Sequence, residues 1–110
     1  MIVNVTSRHF KAHHTIVQHA EEAVESLTHY YDGIIKCEVV LSFEKPRKST
    51  KKAEVIVSVA RQQLTAQEQS EDFLKSIDGA VDKILIQIKK YKDRLRMKDR
   101  ETVRKVREKV

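Results

Sequence analysis

The pattern of apolar residues switches period along this chain, from two to about 3.6 and back, and that switch limits the fold more than any other feature. Residues 34–44 alternate, with Ile35, Cys37, Val39, Leu41 and Phe43 on one side and Lys36, Glu38, Ser42 and Glu44 on the other. Strict alternation is the mark of a strand with one buried face. Residues 53–59 repeat it, with Ala53, Val55, Val57 and Val59 inward. The first six residues alternate too, through Val3 and Val5. Between the first two strands, from about His14 to Tyr31, the spacing becomes helical: Ile16, Ala20, Val24, Leu27 and Tyr31 recur every three or four residues. Asp32-Gly33 is expected to stop that helix, with glycine taking the left-handed conformation.

Pro46 and the basic run to Lys52 read as a loop, because proline cannot donate to a strand ladder. Arg61-Gln62-Gln63 reads as a tight turn, with Leu64 and Ala66 in a short fourth strand. A long helix follows, capped by Ser70 or Asp72. Its stripe is Phe73, Ile77, Ala80, Val81, Ile84, Ile88, Tyr91 and Leu95. Beyond Leu95 apolar residues are sparse. Residues 1–96 are therefore expected to form one β-α-β-β-β-α domain, and residues 97–110 a basic tail, either a helix extension or disordered. The fold class is α+β, a two-layer sandwich with both helices on one face of a four-stranded sheet. If the first two strands pair in parallel, their crossover is right-handed.

The net charge of +6 matters less than where it sits. Residues 89–110 hold eleven of the 22 Lys and Arg, and residues 45–52 hold five more. Sixteen of 22 cations in 30 residues is the footprint of a polyanion binder. On the long helix Lys83, Lys90 and Arg94 share a face roughly opposite the apolar stripe, and Lys89, Lys92 and Arg96 widen it. Lys45, Arg47 and Lys48 form the second candidate contact. Few aromatics are available for stacking, so recognition would rest on charge and backbone shape.

Catalytic and metal signatures are weak. Within the first helix no histidine pair has zinc spacing, and Cys37 lies on an inward strand face. Asp78 and Asp82 sit beside Lys75 and Lys83, where local pairing is the simplest expectation. Two glycines cannot build a phosphate loop. The expectation is a non-enzymatic protein without cofactor, metal or small-molecule substrate. A single cysteine, no signal-like start and no apolar run of membrane length point to the cytoplasm.

Three stretches carry a family resemblance: Tyr30-Tyr31-Asp32-Gly33, then Val39-Val40-Leu41-Ser42-Phe43-Glu44-Lys45, and then Ile77-Asp78-Gly79-Ala80-Val81-Asp82-Lys83 with Gln87, Lys90 and Lys92-Asp93. In this order they resemble the ribosome hibernation promoting factor and ribosome-associated inhibitor family, in its short form, over roughly residues 1–96. The fold is also similar to that of double-stranded RNA-binding domains. The resemblance implies a translation inhibitor of idle ribosomes in stationary phase or stress. It would bind 16S rRNA of the small subunit, alone or in the 70S ribosome, within the channel for messenger and transfer RNA.

By position, Lys45, Lys83 and Lys90 match basic family residues, and Arg94 and Arg96 stand where the family is usually basic. Ile86 replaces a common arginine, and Val17, Ala23 and Ser26 stand where arginine and lysines are typical. The resemblance therefore leaves the first helix with a reduced phosphate surface. The chain stops about where a long form would begin its linker and dimerisation domain, which argues against self-driven pairing of ribosomes; a monomer off the ribosome is expected. Two other readings remain at this stage. One is a stand-alone binder of structured RNA away from the ribosome. The other is an interaction domain whose basic tail binds an acidic partner or membrane.

Overall fold

The computed structural model describes residues 1–44 and 50–108, with side chains to residue 96. The chain runs β1 (Ile2–Ser7), α1 (His14–Glu25), a 3-10 turn (Ser26–His29), β2 (Lys36–Phe43), β3 (Lys51–Val59), β4 (Gln62–Ser70) and α2 (Phe73–Glu108). The sheet order is β1-β2-β3-β4. β1 pairs with β2 in parallel, Val3 opposite Cys37, and the rest is an antiparallel meander. One face of this mixed, open sheet and both helices share a single core, as the alternation and stripes predict. Cys37, Val39, Leu41, Val55 and Val57 pack against Ala20, Val24, Leu27, Ile77, Ile84 and Ile88. Burial pushes the Cys37 thiol up to about 11, so at neutral pH it is a small apolar side chain and not a nucleophile.

The structure departs from the sequence reading in several places, each for a local reason. α1 ends at Glu25, six residues before Tyr31. Ser26 Oγ donates to Ala23 O (2.6 Å) and Thr28 Oγ1 to Glu25 O (2.7 Å). Hydroxyls bonded back to the preceding turn compete with the α ladder, and the chain tightens into a 3-10 turn. No glycine has positive φ among the described residues, so Gly33 is not the expected left-handed stop. A Cβ there would run into the Tyr31 ring, which stands edge-on to Tyr91 at 5.6 Å.

In β2 the alternation begins at Cys37. Ile35 is 57% exposed, whereas Ile34 takes the core position at 5%. These two residues precede the paired strand, so the two-residue period does not govern them. Lys51 and Lys52 belong to β3, not to a loop. The hairpin turn is Ala60-Arg61, with Val59 paired to Gln62, and Arg61 takes φ +69°. β4 spans nine residues and not the short strand expected.

The helix α2 starts at Phe73 because Asp72 Oδ1 accepts from Leu74 N (2.9 Å); Asp72, and not Ser70, is the cap. Ser70 has a different task. Its hydroxyl meets that of Ser76 (2.7 Å), the buried polar side chain of the core, and Ser76 Oγ donates to Lys51 O (2.7 Å). Tyr91 is the last buried residue of the stripe, since Leu95 is at the exposed boundary. The helix nevertheless continues to Glu108. At 1.5 Å per residue, the stretch past Tyr91 is an arm of about 25 Å.

Candidate nucleic-acid interface

Both helices start at one end of the sheet and run toward the other, where α2 continues beyond it. The start of α2 is tied to Lys51 through Ser76, whereas Tyr91 Oη donates to Ala60 O (3.3 Å) at the opposite end. From Ser76 to Tyr91 the helix covers roughly 22 Å. Lys89, Lys90, Lys92, Arg94 and Arg96 therefore gather beside the Ala60-Arg61 turn. Phe43 at the end of β2 and Lys51 at the start of β3 lie at the far end. The domain thus has two ends, a helical pole beside Ala60-Arg61 and a loop pole at Phe43 and Lys51. Lys45, Arg47 and Lys48 lie outside the described residues.

Within the helical pole the cations differ in what they already hold. The ammonium of Lys92 donates to Tyr30 O, and Lys89 lies over the Tyr30 ring at 5.7 Å. Lys90, Arg94 and Arg96 are exposed and have no ion-pair partner among the described residues. Lys83 behaves otherwise. Its Nζ lies 3.2 Å from Glu68 Oε2 and donates to Gln67 O at 3.0 Å. The Lys83 bond, joined by the backbone N–H of Gln69, holds the Glu68 carboxyl below its usual range.

One turn on, Gln87 Nε2 donates to Thr65 O at 2.7 Å. β4 is an edge strand, and Lys83 and Gln87 cover two of its free carbonyls. Capping the edge in this way blocks pairing with another chain. The Lys83 ammonium is thus committed to the sheet and does not extend the Lys90–Arg94 face as sequence spacing suggests. Asp78 likewise pairs across helices, with His19 Nε2 at 2.7 Å, and not with its sequence neighbour Lys75.

Gly79 makes the Glu68–Lys83 contact possible. A Cβ on Gly79 would lie 2.7 Å from Glu68 Cγ. Alanine is ordinarily better than glycine inside a helix by about 0.8–1 kcal/mol. Gly79→Ala is nevertheless expected to give no gain in the parent, and to stabilise by about that amount when Glu68 is also alanine. Urea unfolding of the four variants checks the cycle; equal gains in both backgrounds would refute the close-packing account.

Between the poles the exposed surface of the helices is mainly acidic, with Lys75 and Lys83 as its Lys and Arg residues. Glu21, Glu22 and Glu25 on α1 and Asp78 and Asp82 on α2 are all exposed. Val17 and Ala23 are partly buried, so α1 offers few cations along its length. The sequence reading also passed over residues 8–14, Arg-His-Phe-Lys-Ala-His-His, which join β1 to α1 at the loop pole. Their density of basic and imidazole groups was the available signal. Among the described residues no group of three or more His, Cys, Asp or Glu side chains is placed to hold a metal. Among the described residues no helix is long and apolar enough to cross a membrane.

This geometry has known counterparts. The structure is similar to a ribosomal subunit interface protein from Coxiella burnetii, with TM-score 0.76 and 20% identity over 84% of this chain and 99% of that one. It is also similar to the N-terminal domain of Thermus thermophilus Protein Y, with TM-score 0.71 and 26% identity over 83% of this chain and 99% of that one. No curated protein matches the sequence. Residues 3–96 match the family described as sigma 54 modulation protein / S30EA ribosomal protein, and the chain belongs to that family.

Proposed function

We propose that this protein binds the small ribosomal subunit, free or within the 70S ribosome, through 16S rRNA in the messenger and transfer RNA channel. Bound there, it inhibits translation by idle ribosomes. The observation that carries this reading is the family match across residues 3–96, joined to the exposed cations Lys90, Arg94 and Arg96 of α2. Support also comes from a structural neighbour described as a ribosomal subunit interface protein. Inhibition is by occupancy: a domain seated in the channel excludes the RNAs that initiation needs. It acts in the cytoplasm of stressed or stationary cells, as a monomer when off the ribosome.

A cell-free translation reaction tests this function. Added protein should block initiation and leave ribosomal RNA intact, and messenger with initiator transfer RNA loaded beforehand should protect. Cleaved RNA, or inhibition indifferent to that loading, would overturn occupancy as the mechanism.

A further inference from the structure

We propose that the segment joining β1 to α1 is a second phosphate-binding pole, so that ribosomal RNA is gripped at both ends of the domain. This deepens the ribosome-binding reading and rests on it. Arg8, His9, Lys11, His13 and His14 are all exposed, and neither Arg8 nor Lys11 has an ion-pair partner among the described residues. The nearby Lys51 and Lys52 are already engaged, with Glu71 O at 2.9 Å and Glu44 at 3.6 Å.

The segment is held in shape before any ligand arrives. Arg8 N donates to Leu41 O (2.9 Å), which ties its start to β2. Phe10 stacks on Phe73 (centroids 5.3 Å apart) and meets Phe43 edge-on at 4.9 Å. Between these two anchors His9 takes φ +64°, in the left-handed region that residues with a side chain seldom adopt. Strain of this kind persists only where surrounding contacts impose it. At the far end His13 Nδ1 lies 2.8 Å from Thr15 Oγ1 and 3.3 Å from Thr15 N, which fixes the ring over the start of α1. A loop already ordered in this way loses little entropy when it binds.

Charge placement selects an extended polyanion as the occupant. RNA lying flat along the helices would meet Glu21, Glu22, Glu25, Asp78 and Asp82. A backbone touching only the two ends, roughly 22 Å or more apart along α2, avoids them. Glu21 also borders the depression shared by Lys11, His13 and His14, and it limits how far phosphate can advance along α1.

The test measures salt-dependent binding of the full-length protein to purified small subunits. Arg8→Gln/Lys11→Gln should lower the slope of log K against log salt by up to about two units. Its unfolding midpoint should match the parent, because both side chains are exposed. Combining it with Lys89→Gln/Lys90→Gln/Arg94→Gln should add the two losses. If the parent binds but the loop variant keeps its full slope, the second pole is wrong and the ribosome reading stands. If the parent fails to bind subunits, the ribosome reading falls. A synthetic RNA duplex then decides the loop alone: a reduced slope for the loop variant supports the pole, and an unchanged slope overturns it.

Discussion

Replacing Lys89, Lys90 and Arg94 together by Gln is expected to lower the salt slope for small-subunit binding by up to about three units. Each cation that meets a phosphate releases condensed counterions, and each loss removes close to one unit from the slope. Lys90 and Arg94 are exposed and unpaired among the described residues, whereas Lys89 exchanges only a contact with the Tyr30 ring. The fold should tolerate the triple change, since none of the three lies among the buried residues of α2. Lys83→Gln makes the informative contrast. Its ammonium spans Glu68 and the Gln67 carbonyl, so the change should disturb stability more than the slope. Titration of labelled protein with subunits at four salt concentrations separates the two. A triple variant with the parent's slope would remove α2 from the interface.

Ser76→Ala should destabilise the domain by about 1–3 kcal/mol, the usual penalty for a buried polar group that loses its partner. Ser76 is completely buried, and its hydroxyl joins Lys51 O on β3 to Ser70 Oγ at the end of β4. Alanine leaves that carbonyl without its side-chain donor and frees the start of α2 from the sheet. Ser26→Ala, at an exposed hydroxyl, should stay within about 0.5 kcal/mol of the parent. Urea midpoints compare the pair at unchanged m-value. Equal stability of Ser76→Ala and parent would show that this pin contributes nothing.

The architecture was legible wherever an element buries one face completely. Cys37 to Leu41, Ala53 to Val59 and the stripe from Phe73 to Tyr91 carry the core, and their periods named their structures correctly. β4 was undercounted because its outward residues Gln63, Thr65, Gln67 and Gln69 are polar. Its inward Glu68 also looks like solvent-facing sequence. Only the gap left by Gly79 makes Glu68 compatible with a helix overhead. The end of α1 was misplaced because hydroxyls at Ser26 and Thr28, and not glycine, rewrote the hydrogen bonding.

Where the basic side chains end up is less legible in the sequence, for a related reason. Helical spacing places Lys83, Lys90 and Arg94 on one face but says nothing about where a flexible ammonium ends. Glu68 is distant in sequence and claims one of the three. That residues 8–14 and the cations of α2 lie at opposite ends follows from strand and helix direction, which charge counts do not contain. Residues 8–14 are hard to recognise in sequence because Phe10 gives no sign there of packing between Phe43 and Phe73.

Sedimentation through a sucrose gradient tests the central claim most directly. Full-length protein mixed with purified ribosomal particles at low salt should travel with small subunits and 70S ribosomes. It should leave them steeply as salt rises. Protein that stays at the top of the gradient at low salt, while folded and abundant, would contradict the account.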